Sequence, residues 1–432
     1  MKICVVGLWH LGTVTAACLA SAGHQVIGLD FEEATVKSLQ AGQPPLYEPD
    51  LEELVRRGLA EGRLCFSTDI AESLYGSEVI WVAFDTPVDE EDCADVDFVL
   101  DRVVRLFPYL SAGAVVLISS QLPVGSTGRL ERQYALEFPD KPVTFGYSPE
   151  NIRLGKAIHS FTKADRVVVG VRNESARERV QELLRTFADH IEWMSVESAE
   201  MTKHALNAYL ATSVAFINEV AELCEQVGAD AREVEGGLKS DTRIGPGAYL
   251  TPGAAFAGGT LARDIQFLAQ IGTAHHQSTL LLSAVRESNK AHRLWVRRRL
   301  LALLGDLKGE RVAILGLTYK PGTDTLRRSS SVELCEWLAQ QGTLVHTHDP
   351  AVKRLPEHLA GKFALNSTPI AALSGASAMV VATEWPEYRS LTAETILSAM
   401  RKALVIDPNG FLLTTLGDDK RIRYVRVGKA EI

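Results

Sequence analysis

The sequence predicts an α/β protein in which two doubly wound parallel sheets flank a helical middle. Three observations carry this reading. Up to about residue 195, short apolar runs bounded by Gly, Asp and Pro alternate with amphipathic stretches. Strand-like runs then vanish until residue 304 and return after Lys308. The two outer thirds also open alike, VVGLW at 5–9 against ILGLT at 314–318. Apolar runs of four to eight residues separated by helical patterns are the mark of strands covered on both faces by crossover helices. The division expected is therefore a Rossmann-like domain over 1–195, a helical domain over 196–304 and a second Rossmann-like domain over 305–432.

In order, the first domain offers strands at Ile3–Leu8, Gln25–Leu29, Val79–Ala83, Ala114–Ser119, Val143–Tyr147 and Arg166–Val171. The middle offers helices at Glu197–Val227 and about Thr279–Leu304, rich in Leu, Ala and Arg at helical spacing. Their apolar faces are broader than cover within one domain requires, so they serve a subunit contact or pack on the flanking domains. Between them, Ile244–Gly259 is too rich in Gly and Pro for an element and too apolar for a linker, which marks a functional loop. The last domain offers strands at Arg311–Leu317, Thr343–His348, Ala378–Ala382 and Ala403–Ile406, with a helix over Val332–Gln341.

Across 432 residues, 45 Lys and Arg oppose 54 Asp and Glu, a net charge of −9. An acidic chain without a basic block argues against nucleic acid, whose affinity rests on phosphate neutralisation. No apolar run approaches the roughly 18 residues of a membrane span, and the opening MKICVVGLWH reads as a strand, not a leader. Cys4, Cys18, Cys65, Cys93, Cys224 and Cys335 form no CxxC pair and no metal-ligand spacing with His. Reduced, structural thiols in the cytoplasm, and no metal, are the expectation.

The first chemical motif is Gly7-Leu8-Trp9-His10-Leu11-Gly12, between a strand and a helix, followed by a second strand that ends in Asp30. The context reads as a dinucleotide turn ahead of a bare structural turn: amides of the turn and the helix start would meet a pyrophosphate, and the acid would accept from ribose hydroxyls. A carboxylate there favours NAD over NADP. Phe84-Asp85-Thr86-Pro87 follows another strand at the same sheet edge. Trp9 stands where the fingerprint has its second glycine, so either the ring points away from the pyrophosphate or binding is weakened.

Several segments together resemble the UDP-glucose/GDP-mannose dehydrogenase family along nearly the whole chain. Leu-Tyr-Glu-Pro-Asp at 46–50 is similar to its YEPG segment, SQLPVGS at 120–126 to STVPVGT, SPENIRLGKAI at 148–158 to NPEFLREGSAI, and DRVVVG at 165–170 to DRIVIG. AEMTKHALNAYLATSVAFINE at 199–219 resembles the start of its central helix, LGLTYKPGTDTLRRSS at 315–330 its LGLAFKPNTDDIRESP, and ATEWPEYRSL at 382–391 its ATEWDEF. The family oxidises a nucleotide sugar's alcohol to a carboxylate with two NAD. The resemblance implies NAD on Gly7, Trp9, His10, Leu11, Gly12, Asp30, Thr86, Pro87 and Ser120. Lys203 and Asn207, one helical turn apart, would hold the substrate hydroxyl and a water. By spacing alone the same pair reads equally as a solvated helix edge.

Asp264, in the GGTLARD stretch, matches a family aspartate that orients water or acts as base, although a first-turn acid is the plainer reading. Glu150 matches a glutamate of the second half-reaction, and is otherwise a loop acid. For the substrate, the resemblance implies Glu150, Ile152, Arg153, Lys203, Tyr249, Leu250, Gly253, Phe256, Gly259, Lys320 and Arg327, with Arg243 crossing from a neighbouring subunit of a homodimer built on the middle domain. Lys320 and Arg327 read otherwise as solvated basic surface. The last domain would grip a nucleoside diphosphate, with UDP favoured.

The family's nucleophilic cysteine is Thr260 here, and Gln121 stands at its catalytic threonine. A thiolate attacks the aldehyde so that a thioester can form and hydrolyse, and a threonine hydroxyl is a poor substitute. The expectation is therefore a two-electron oxidation of a UDP-sugar alcohol. The alternative is a UDP-sugar-binding pseudoenzyme without turnover.

Overall fold

A computed structural model describes residues 1–87, 89, 94–149, 152, 155–256 and 259–430. Their contacts divide the chain into two compact units, Met1–Ala205 and Leu206–Ile432.

The first unit holds β1 (Lys2–Val6), β2 (Gln25–Leu29), β3 (Leu64–Ser67), β4 (Val79–Val82), β5 (Val115–Ile118), β6 (Thr144–Tyr147), β7 (Val167–Gly170) and β8 (Ile191–Met194). They form one sheet in the order β3-β2-β1-β4-β5-β6-β7-β8. Successive residues of β1 alternate between two cores: Ile3 and Val5 enter one, Cys4 and Val6 the other. Both faces are therefore covered, which is why this strand reads as an unbroken apolar run. Chain order reverses at β1 and β4, whose carboxyl ends define the ligand crevice of such a sheet.

The expected all-parallel arrangement needs one correction. β7 meets β6 antiparallel, through Tyr147 and Gly170. The connection between them contains only the six-residue helix Ala157–Thr162 among its described residues, so no full crossover returns the chain to the other end of the sheet. Parallel pairing resumes at β8 after the eleven-residue helix Glu174–Leu184.

The second unit holds β9 (Arg311–Leu315), β10 (Leu344–His348), β11 (Ala364–Leu365), β12 (Ala378–Val381), β13 (Leu404–Ile406) and β14 (Arg423–Val425), in the order β11-β10-β9-β12-β13-β14. This repeats the order of the first six strands of the other sheet. Val312 and Ile314 face the middle helices, sharing a core with Ala221, Cys224, Trp295 and Leu300. Ala313 and Leu315 face a separate core on the opposite side.

The helix Val196–Val227 runs unbroken for 32 residues across the division between the units. The expected second long helix is two, Leu280–Arg293 and Trp295–Leu304. The break is at Leu294, whose N–H bonds back to Ala291, tightening the turn before a new helix starts. Residues 244–256 lack regular structure, as expected, and lead into the helix Gly259–Ala274. No helix among the described residues is long and apolar enough to cross a membrane.

Candidate active site

In the first unit, Gly7 has φ +89°, and a Cβ there would lie 2.6 Å from the Phe84 ring. This close approach sets the Phe84–Pro87 segment beside the turn. A Cβ at Gly12 would be 1.6 Å from the Gly7 carbonyl, so the helix His10–Ser21 starts directly against the turn. Asp30 closes the motif: its Oδ2 accepts from the Leu8 N–H at 2.6 Å and its Oδ1 from the Glu32 N–H at 3.0 Å. Two oxygens offer about four acceptor sites, which leaves capacity for ribose hydroxyls.

Trp9 occupies the cap position and is half exposed, and the first helical turn carries no acidic residue. Helix amides facing an anion with no opposing charge suit a pyrophosphate. The residues present therefore fit a bound dinucleotide.

Thr86, buried, donates its hydroxyl to the Gln121 carbonyl at 2.7 Å. Ser120 is buried, and its hydroxyl has no hydrogen-bond partner among the described residues.

Sequence reasoning missed three side chains that fix these loops. Glu48, almost fully buried, bonds to His10 Nε2 at 3.1 Å and accepts from the Gly155 and Ala157 N–H groups, each at 2.8 Å. It joins the cofactor turn to the segment after Ser148-Pro149-Glu150. Glu200, fully buried, accepts from the Gly125 and Thr127 N–H groups and so caps the helix Ser126–Glu137. His204 bonds to the Leu122 carbonyl at 2.9 Å. The available signal was helical spacing, since residues 200, 203, 204 and 207 fall on one stripe of a helix. Lys203 itself is nine-tenths buried, which rejects the reading of a solvated helix edge at that position.

In the second unit, Asn207 donates its side-chain N–H to Asp264 Oδ2. Asp264 is fully buried in the helix Gly259–Ala274, and Thr260 lies one turn earlier, exposed at the helix start. A buried carboxylate bonded to a buried amide beside a helix N-terminus can position a hydroxyl or water and take its proton. Tyr249 is exposed, while Leu250 and Gly253 are buried and Phe256 and Gly259 half-buried. Tyr249 also lies close enough to Tyr319 to add to the burial that raises the Tyr319 phenol above its ordinary value. Arg327 lines a surface concavity with Lys353, Arg354 and His358. Arg243 is exposed and paired with Asp241 at 2.7 Å.

A cavity of about 240 Å³ opens at the carboxyl ends of β12 and β13. Ala254, Ala255, Lys290, Ser330, Ser331 and Asn409 are among the residues that line it, with the start of the helix Ser330–Gln340 on one side. Glu150, Arg153 and Gly258 lie outside the described residues.

Comparison with known proteins agrees along the whole chain. Residues 1–188 match the NAD binding domain of the UDP-glucose/GDP-mannose dehydrogenase family, 197–291 its central domain and 313–413 its UDP binding domain. The UDP-glucose 6-dehydrogenase of Pseudomonas aeruginosa is 34% identical over 94% of this chain and 93% of its own length. That of Rhizobium meliloti is 32% identical over the full length of both. The structure of a UDP-glucose dehydrogenase from Pyrobaculum islandicum superposes with a TM-score of 0.88 at 30% identity, covering 99% of this chain and 98% of that one. The chain belongs to the UDP-glucose/GDP-mannose dehydrogenase family, the NAD-dependent nucleotide-sugar dehydrogenases.

Proposed function

We propose that this protein oxidises the alcohol of a UDP-sugar with NAD and stops at the carbonyl. The observation that carries the proposal is the Asn207–Asp264 pair with a hydroxyl, not a thiol, one turn before Asp264. In this reading Lys203 and Asn207 bind the reacting oxygen, and Asp264 accepts its proton directly or through a water. NAD, when bound, is the hydride acceptor. Glu150, Ile152 and Arg153 line the sugar, Gln121 flanks the reacting carbon, and residues 305–432 hold the nucleotide through the strand-end cavity and Lys320.

The second oxidation needs a nucleophile on the aldehyde carbon. Thr260 offers only a weakly acidic hydroxyl. Among the described cysteines, Cys4, Cys18, Cys224 and Cys335 are buried, and Cys65 lies in β3. Burial pushes the Cys18 thiol up to about 12 and Cys4 and Cys335 higher still, so none of those three supplies a thiolate near neutral pH.

The reading also makes the protein a cytoplasmic homodimer. Tyr209, Phe216 and Leu223 are exposed at seven-residue intervals along the helix Val196–Val227, with Val227 one turn further on. An exposed apolar stripe of this length suits a second copy of the same helix.

The test is NADH formation with a panel of UDP-sugars and identification of the product by mass. A carbonyl product from one of them supports the reading. UDP binding without any NADH would leave a binding protein in its place. Thr260→Cys then asks whether a thiol alone restores carboxylate formation.

A further inference from the structure

We infer that Asn218, Asn289, His292 and Asn409 form a clamp that presets the backbone of residues 253–256 as the nucleotide-facing wall of the strand-end cavity. The inference rests on the UDP-sugar reading above and assigns the residues that position its binding loop.

The bonds are complete on either side of one peptide. Asn218 Oδ1 accepts from the Gly253 N–H at 3.0 Å, and its Nδ2 donates to the Ala254 carbonyl at 3.4 Å. His292 Nε2 bonds to the Gly253 carbonyl at 2.8 Å, and its Nδ1 is held by Glu222 at 2.7 Å. Asn409 Oδ1 accepts from the Ala254 N–H at 2.6 Å. Asn289 takes Phe256 from both sides, accepting from its N–H and donating to its carbonyl, each at 3.0 Å. Asn218, His292 and Asn289 are all more than nine-tenths buried.

Two buried amides, a buried imidazole and the half-buried amide of Asn409 spent on one irregular loop are costly unless that loop's geometry matters, because each polar group is desolvated to make these bonds. A Cβ on Gly253 would sit 2.2 Å from Asn409 Oδ1, so any larger residue there would push the Asn409 amide off its bond to Ala254. The clamp leaves Ala255 as the residue of this stretch whose N–H and carbonyl are not taken by it, and Ala255 lines the cavity. A loop fixed in advance binds its ligand without further ordering cost. Asn409 follows β13 at the position that Gln121 holds after β5.

The test is isothermal titration with UDP and, separately, with NAD, on the full-length protein and on Asn409→Ala and Asn289→Ala. Ile396→Val, a trimmed core residue on the other face of the second sheet, serves as a stability control. The clamp predicts UDP affinity at least tenfold weaker in both asparagine variants, with NAD affinity within twofold of the parent. The control should lower the melting temperature and leave both affinities in place. UDP affinity within twofold of the parent, in variants shown folded by retained NAD binding, would overturn the inference. Absence of UDP binding in the parent itself would instead overturn the function on which it rests.

Discussion

Asp30 and Asp349 occupy the same place in the two sheets and differ in how much of each carboxylate is free. Each follows the second strand of its sheet and accepts from the amide after a left-handed glycine, Leu8 after Gly7 and Leu317 after Gly316. Asp30 takes two backbone donors. Asp349 is buried and takes the Leu317 and Thr318 N–H groups, the Thr318 hydroxyl, the Trp385 indole N–H, and the Ala351 and Val352 N–H groups. A saturated carboxylate has nothing to offer a ribose. The repeated sheet has thus kept the turn and lost the dinucleotide acceptor.

Asp30→Ala should therefore raise KM for NAD by roughly ten- to a hundredfold, the effect of losing about 1.5–3 kcal/mol of bonds to a charged group. Asp349→Asn should leave KM for NAD unchanged and lower the melting temperature. Steady-state kinetics beside thermal melts separate the two.

Asp264→Asn keeps the shape of the pair with Asn207 and removes the proton acceptor. The expected result is a kcat lower by roughly two to four orders of magnitude with little change in KM for the sugar. Thermal melting close to the parent's would show that the loss is chemical.

Phe216→Asp puts a charge in the middle of the exposed Tyr209–Phe216–Leu223 stripe. Light scattering should show a dimer for the parent, as proposed, and a monomer for the variant. An unchanged mass would move the subunit contact elsewhere.

Burial alone would raise the Asp230 carboxyl, but bonds from Arg426, the Arg232 N–H and Lys429 outweigh it and bring it from 3.8 to about 2. A depressed carboxylate stabilises the fold above its unfolded value and loses that contribution as pH falls through the folded one. Asp230→Asn should thus destabilise the second unit at pH 7 and much less near pH 2, measured as denaturant midpoints across that range.

The longer strands and the repeat of the two halves were legible because both faces of each sheet are covered, which writes apolar runs into the sequence. β3, β8, β11 and β14 escaped because two to four residues with polar neighbours carry too little pattern. Asp50 shows what a family pattern adds: it stands where the YEPG segment has glycine and adopts φ +65°, a conformation glycine takes freely. Lys203 and Asn207 stood out because they interrupt an apolar helical stretch, Asp30 because it ends the second strand after a glycine-bounded turn, and Asp264 through its match to the family's loop. Glu48, Asn289 and Asn409 did not, because a polar residue on an amphipathic helix or in a turn looks solvated until its distant partner is known. Asn409 finds Ala254 across 155 residues of chain.

The central claim is that oxidation ends after one hydride, and the direct measurement is the number of NADH formed per UDP-sugar consumed at completion. The account predicts one, with a carbonyl product trapped by a hydrazine reagent. Two NADH and a carboxylate from the unaltered protein would contradict it, because Thr260 would then not limit the chemistry.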